Sequence, residues 1–182
     1  GDVYKRQVLE ALGALDSVTD QLGIMTTDDE EPTAFGVDSW VDTEIEVCLD
    51  SGCCDHVMDM QDAPGYQAFL MESLGSKRKQ HFIVGNGARA PNEGELLLNL
   101  ESEFGRDKGR LQSTFQVAEV TRPLMSVSRM CDQGLRCIFG DQEALVVDKA
   151  TGKTIVSFER RGGLYIAKMR LKPPAGFPGQ PR

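Results

Sequence analysis

Thr43-Glu44-Ile45-Glu46-Val47-Cys48-Leu49-Asp50-Ser51-Gly52 is the stretch on which the fold turns. From Glu44 to Leu49 polar and apolar residues alternate, the period-two signature of a strand with one face buried. The strand runs directly into Asp50-Ser51-Gly52. Glycine lets the backbone turn tightly and approach a neighbour, and a Ser hydroxyl can bridge two loops. A carboxylate at the end of a rigid apolar strand has two readings. One is ordinary turn chemistry, in which Asp and Ser before Gly are common. The other is half of a carboxylate pair sharing one proton, one member acting as base toward water and the other as acid.

Downstream, further short strands are expected at His81 to Val84, Glu95 to Leu100 and Leu111 to Val117. Gly85-Asn86-Gly87 is a strong turn signal after the first of these. Pro123 to Gly134 fits a short helix, with Ser126 as its cap and Gly134 just past its end. Leu135 to Phe139, Ala144 to Val147, Thr154 to Phe158 and Leu164 to Lys168 read as strands. Many short strands with one helix predict a mostly-β barrel or sandwich. Asp55 to Lys79 is polar and irregular and reads as an insertion in a surface loop.

The flanks have a different texture. Gly1 to Gln7 resembles a translated sequencing adapter and is set aside from fold reasoning. Val8 to Asp20 could form an amphipathic helix, and Asp28-Asp29-Glu30-Glu31-Pro32 reads as a solvated linker, so residues 8–40 are expected to be an acidic flexible flank. Residues 41–140 form the expected main domain and 141–168 an appended β-hairpin segment, and the Pro/Gly-rich residues 169–182 are expected to be a disordered tail.

Composition narrows the function. A net charge of −8 argues against direct nucleic-acid binding, which needs a basic surface to neutralise phosphates. No apolar run approaches the roughly 20 residues that span a bilayer, so no membrane partner is expected. Five cysteines, an odd number, predict reduced thiols and a cytoplasmic setting. Cys48, Cys53, Cys54 and His56 cluster, and a zinc-binding adaptor is one alternative; but adjacent cysteines would have to share one ion and no second ligand arm is evident, so no metal is expected. His56 has two readings, a pH-responsive neighbour of Asp50 or a structural histidine.

Taken together, these segments resemble a known family. Leu49-Asp50-Ser51-Gly52-Cys53-Cys54-Asp55-His56-Val57 is similar to the protease signature of copia-type retrotransposon polyproteins, where Ala and then Ser or Thr usually follow the Gly and a His stands at the place of His56. Val84-Gly85-Asn86-Gly87-Ala88-Arg89-Ala90-Pro91 resembles that family's flap, and Asn92-Glu93-Gly94-Glu95-Leu96 the strand returning from it. Val117 to Gly134, centred on Pro123-Leu124-Met125-Ser126-Val127-Ser128, resembles the segment in which two apolar residues precede Ser-Val-Ser and a helix. Gly152-Lys153 through Gly162-Gly163-Leu164-Tyr165 is similar to the stretch joining protease to integrase, so the likeness spans roughly residues 44 to 168 in order.

The resemblance implies a retropepsin-like closed β-barrel with one short helix, acting as a homodimer, because one Asp-Ser-Gly supplies half a dyad. It implies an aspartic endopeptidase with Asp50, Ser51 and Gly52 as catalytic residues and Val84, Gly85, Asn86 and Gly87 as the substrate-binding flap. The implied substrate is a Gag-Pol-like polyprotein bound as an extended strand in the cytoplasm or in retrotransposon particles, with no cofactor. Two departures stand beside the catalytic loop: Cys53 in place of Ala, which could make activity redox-sensitive, and Cys54 in place of a hydroxyl residue. A degenerate or domesticated copy acting in dimerisation or protein binding is the alternative.

Overall fold

A computed structural model describes residues 40–102 and 109–178. The expected helix and linker before Trp40 lie outside the described residues, as do residues 179–182. The strands are β1 (Thr43–Asp50), β2 (Val57–Met58), β3 (His81–Ile83), β4 (Arg89–Pro91), β5 (Gly94–Ser102), β6 (Gly109–Val117), β7 (Leu124–Ser126), β8 (Leu135–Phe139), β9 (Glu143–Asp148), β10 (Thr154–Arg161) and β11 (Leu164–Lys172). The helices are α1 (Leu74–Lys77) and α2 (Val127–Asp132).

Six strands close into a barrel in the order β1-β7-β2-β6-β5-β11, with β11 returning to pair with β1. Alternation explains why. In β1, Ile45, Val47 and Leu49 are buried while Glu44 and Glu46 face water. In β5, Leu96, Leu98 and Leu100 do the same and meet Phe115 and Val117 from β6 and Met169 and Leu171 from β11. β11 serves the whole assembly. One edge pairs with β1 from Cys48↔Ile166 to Thr43↔Leu171. Its other edge pairs first with β10 at Leu164 to Ile166 and then with β5 at Met169 to Lys172. The β10-β9-β8 extension therefore grows out of the barrel wall as part of one continuous sheet.

That sheet revises two boundaries. The segment 141–168 is not an appendage, because β11 supplies a barrel strand and Met169 and Leu171 carry its inward alternation past Lys168. Chain beyond Lys168 is structured too: β11 continues to Lys172, Pro174 is buried, and Phe177 packs edge-on against Trp40 at 5.2 Å.

Asp55 to Lys79 also departs from its expected surface-loop character. Val57, Met58, Ala63 and Tyr66 are all buried in it. It uses a two-residue strand, short 3-10 turns at Met60–Asp62 and Gln67–Phe69, and α1. Elements this short bury single residues, so no periodicity shows in the sequence. Tyr66 plugs one end of the barrel: its hydroxyl donates to the Lys172 carbonyl at 2.7 Å and accepts the Asn99 N–H at 3.1 Å. Trp40 lies edge-on to Tyr66, its indole N–H donating to the Leu171 carbonyl at 3.1 Å. Gly65 runs beneath that indole with φ of +88°, and a Cβ there would sit 2.6 Å from the ring. Asp50 is at the far end of β1 from this plug.

Candidate functional site

Asp50 ends β1 half-buried, at the opposite end of the strand from Tyr66. Its Oδ1 accepts the Gly52 N–H at 2.7 Å, an Asx turn that aims the carboxylate. Ser51 and Gly52 are exposed, and a Cβ on Gly52 would come within 3.2 Å of that same oxygen.

Beside Asp50 runs β7, parallel to β1, with Cys48↔Leu124, Leu49↔Met125 and Asp50↔Ser126 in register. Ser126 is fully buried and ties three segments together. Its hydroxyl donates to the Cys53 carbonyl at 2.5 Å and caps α2 by accepting the Arg129 N–H at 3.3 Å. With its one hydrogen spent on Cys53, Ser126 accepts from the Ser128 hydroxyl at 3.0 Å. Its backbone N–H, instead of joining a ladder, donates to His56 Nδ1 at 2.9 Å.

His56 is 4% exposed, and its ring packs against Phe115 with centroids 5.4 Å apart. Because Nδ1 accepts, the imidazole is neutral and its hydrogen is on Nε2, which finds no hydrogen-bond partner among the described residues. Burial, helped by the nearby Arg129 charge, pulls the His56 pKa down to about 4. Arg129 is itself held by Asp55: its Nε and Nη2 both reach Asp55 Oδ1. This ion pair pins the first turn of α2 to the loop leaving Asp50.

The two cysteines that follow Gly52 differ in kind. Burial pushes the Cys53 thiol up to about 11, and its Sγ donates to the Asp55 carbonyl at 2.8 Å. It is therefore a neutral thiol at ordinary pH, poorly reactive toward oxidants. Cys54 is exposed. Cys48 points back into the wall, its thiol raised by burial and by the Asp50 charge. Among the described residues, no three His, Cys, Asp or Glu side chains stand together as metal ligands, so Cys48, Cys53, Cys54 and His56 do not converge.

Val84, Gly85, Asn86 and Gly87 form the tip of the β3–β4 hairpin, a two-stranded sheet separate from the barrel. The Gly87 N–H donates to the Val84 carbonyl at 2.8 Å, and Val84 N–H to the Ala88 carbonyl at 3.0 Å. Gly87 has φ of +81°, the left-handed geometry this turn needs. Phe82, Val84 and Ala90 pack in one apolar cluster with Cys53, Val57, Ala118, Val120 and Leu124, so the hairpin borders the Asp50 loop.

The hairpin's base is anchored by polar groups. Buried Asn92 accepts from Ser73 Oγ and Gly94 N–H, both at 3.0 Å, and donates to Gln116 Oε1 at 2.8 Å. Gln116 passes the chain on to Glu95 at 3.1 Å. Gly75 fits against Asn92 because it lacks a Cβ, which would stand 2.4 Å from the amide nitrogen.

Sequence reading singled out Asp50, Ser51, Gly52 and the Val84 to Gly87 tip, and the fold brings the loop and the hairpin to one side of the barrel. Ser126 reads from sequence as a helix cap and as part of the Ser-Val-Ser segment, and Asp55 and Arg129 carry no sequence signal of their pairing, which spans 74 positions. Comparison with protein-family models, with curated proteins and with solved structures gives no match to this chain.

Proposed function

We propose that the chain is one subunit of a retropepsin-like aspartic endopeptidase, with Asp50 as its catalytic carboxylate. The observation that carries this reading is the position of Asp50. It ends a buried barrel strand in parallel register with β7, its oxygen is aimed by Gly52 N–H, and an apolar cluster shared with a glycine-tipped hairpin lies beside it. The next carboxylate along the loop, Asp55, is already bound to Arg129. On this reading the second acidic group comes from a second copy of the chain, related by a two-fold axis that brings Asp50 to its mate.

In that dimer one carboxylate is ionised and the other protonated, because two like charges in contact cannot both ionise. The ionised member takes a proton from water as it attacks the peptide carbonyl, and the protonated member supports the carbonyl oxygen and delivers a proton to the leaving amine. The hairpin covers an extended peptide and excludes bulk water. On the resemblance to copia-type polyproteins, the substrate class is a Gag-Pol-like polyprotein.

The test is cleavage of a generic peptide library by wild type and by Asp50→Asn across protein concentrations. Specific activity that rises with concentration and is lost in the variant supports the reading. Equal cleavage by both proteins, or none at any concentration, sinks it. A dimer without cleavage points instead to a binding module built on the same barrel.

A further inference from the structure

We propose that His56 is the positioning residue of the Asp50 loop and that it holds the loop only as a neutral imidazole. This deepens the reading of Asp50 as catalytic and rests on it. Three observations converge. Ser126, the residue in register with Asp50, gives its backbone N–H to His56 Nδ1 at 2.9 Å. Its hydroxyl closes the loop on the other side by donating to the Cys53 carbonyl. The His56 backbone is fixed as well, its carbonyl accepting the Gln116 N–H from β6 at 2.8 Å.

A proton added to His56 must go to Nδ1, because the neutral form already carries its hydrogen on Nε2. It would then face the Ser126 N–H donor to donor, and the bond becomes a repulsion. The neighbours offer no relief. β6 presents the Phe115 ring, β7 presents the Ser126 amide, and α2 presents Arg129, a cation paired with Asp55. No acidic side chain among these partners is free to stabilise an imidazolium. The depressed pKa of His56 follows from the same geometry. Acid therefore withdraws the support of β7, and with it the register that places Asp50, independently of the dyad's own titration.

Two readouts test this. The first follows imidazole and backbone nitrogen resonances of the full chain during an acid titration, with the signals of His56 assigned apart from those of the exposed His81. The expected result is an Nε2–H tautomer for His56, with the Ser126 and Gly52 amide signals moving at the same pH as the imidazole. A protonated Nδ1 at neutral pH, or Ser126 and Gly52 signals indifferent to the titration of His56, overturns the proposal whether or not the protein cleaves peptides.

The second readout is the pH profile of cleavage in His56→Asn, whose side-chain oxygen can accept the Ser126 N–H and cannot be protonated in this range. Between about pH 5 and about pH 3, wild type should lose roughly tenfold more activity than the variant. Superimposable acid limbs overturn the proposal and leave the protease reading intact. Absence of cleavage by wild type at any concentration removes the protease reading, and the spectra still decide the role of His56.

Discussion

The Asp50 loop and the β3–β4 hairpin border the same apolar cluster but are built in opposite ways. The loop is tied at every level: parallel register to β7, a Ser126 hydroxyl bond, a buried imidazole acceptor and the Arg129–Asp55 pair. The hairpin is anchored at its base through Asn92, and its tip from Gly85 to Ala88 is exposed, with its turn bonds internal to itself. Local stability follows such differences: buried, multiply bonded segments open only with the whole fold, while exposed two-stranded elements open at small cost. On the proposed protease reading, a rigid carboxylate beside a hairpin whose tip opens easily suits repeated binding of extended peptides.

The largest expected effect falls on the rigid side. Asp50→Asn should lower cleavage by roughly 10³-fold, within the range for removing a general acid–base group, while thermal unfolding stays close to wild type because the side chain is half-exposed. A variant that loses activity by unfolding would show instead that Asp50 is a structural end to β1.

Next in size is a pH effect on stability. His56 has a folded pKa of about 4 against an ordinary 6.5. The unfolded chain therefore takes the proton first, so stability contributed by neutral His56 is complete above about pH 6.5 and lost as pH falls toward about 4, where it levels off. The span corresponds to about 3 kcal/mol. Urea unfolding of wild type and His56→Asn at several pH values reads it as a difference between the two curves. Parallel curves would mean that the imidazole is solvated and that the loop is less rigid than the comparison holds.

Much of the rigid half could be read from the chain and little of its reinforcement could. The alternation of Glu44 to Leu49, the turn at Asp50-Ser51-Gly52 and the capped helix after Ser126 are local patterns, and each appears where expected. The barrel's closure is not local: β11 meets β1 across more than a hundred positions, so the strand expected at Leu164 to Lys168 gave no sign that it closes a barrel or that it runs on to Lys172. His56 shows the same limit. Its spacing from Asp50 was visible, but the Ser126 N–H that makes its neutral form matter lies 70 residues away. The hairpin tip was the easiest part to read, since Gly85-Asn86-Gly87 encodes its own turn.

A smaller effect should follow from loosening the reinforcement itself. Arg129→Ala leaves the Asp55 carboxylate, about a quarter exposed, without its cation. That should destabilise the fold by about 2 kcal/mol, the cost of stripping a partly buried charge of its hydrogen bonds. Arg129→Lys should recover only part of this, because one ammonium cannot reproduce the grip of Nε and Nη2 on a single oxygen. Chemical denaturation of both variants decides the point; equal stabilities would assign the pair no part in holding the loop.

The smallest effect on stability, and the sharpest for the comparison, is expected at the hairpin tip. Gly87→Val puts a β-branched residue at φ of +81°, where a Cβ has open space around it but the backbone itself is strained. The strain is of order 1–2 kcal/mol. In the Asp50 loop such strain would be felt by the whole fold. At the tip it can be relieved by rearranging a turn whose bonds run only within Val84 to Ala88. Global unfolding should thus shift by less than about 1 kcal/mol while kcat/KM falls by roughly tenfold, because the rearranged turn covers the peptide poorly. A variant with unchanged cleavage would separate the hairpin from catalysis. One destabilised by the full strain would show that the tip is locked to the barrel, and the contrast between a fixed carboxylate and an easily lifted cover would have to be abandoned.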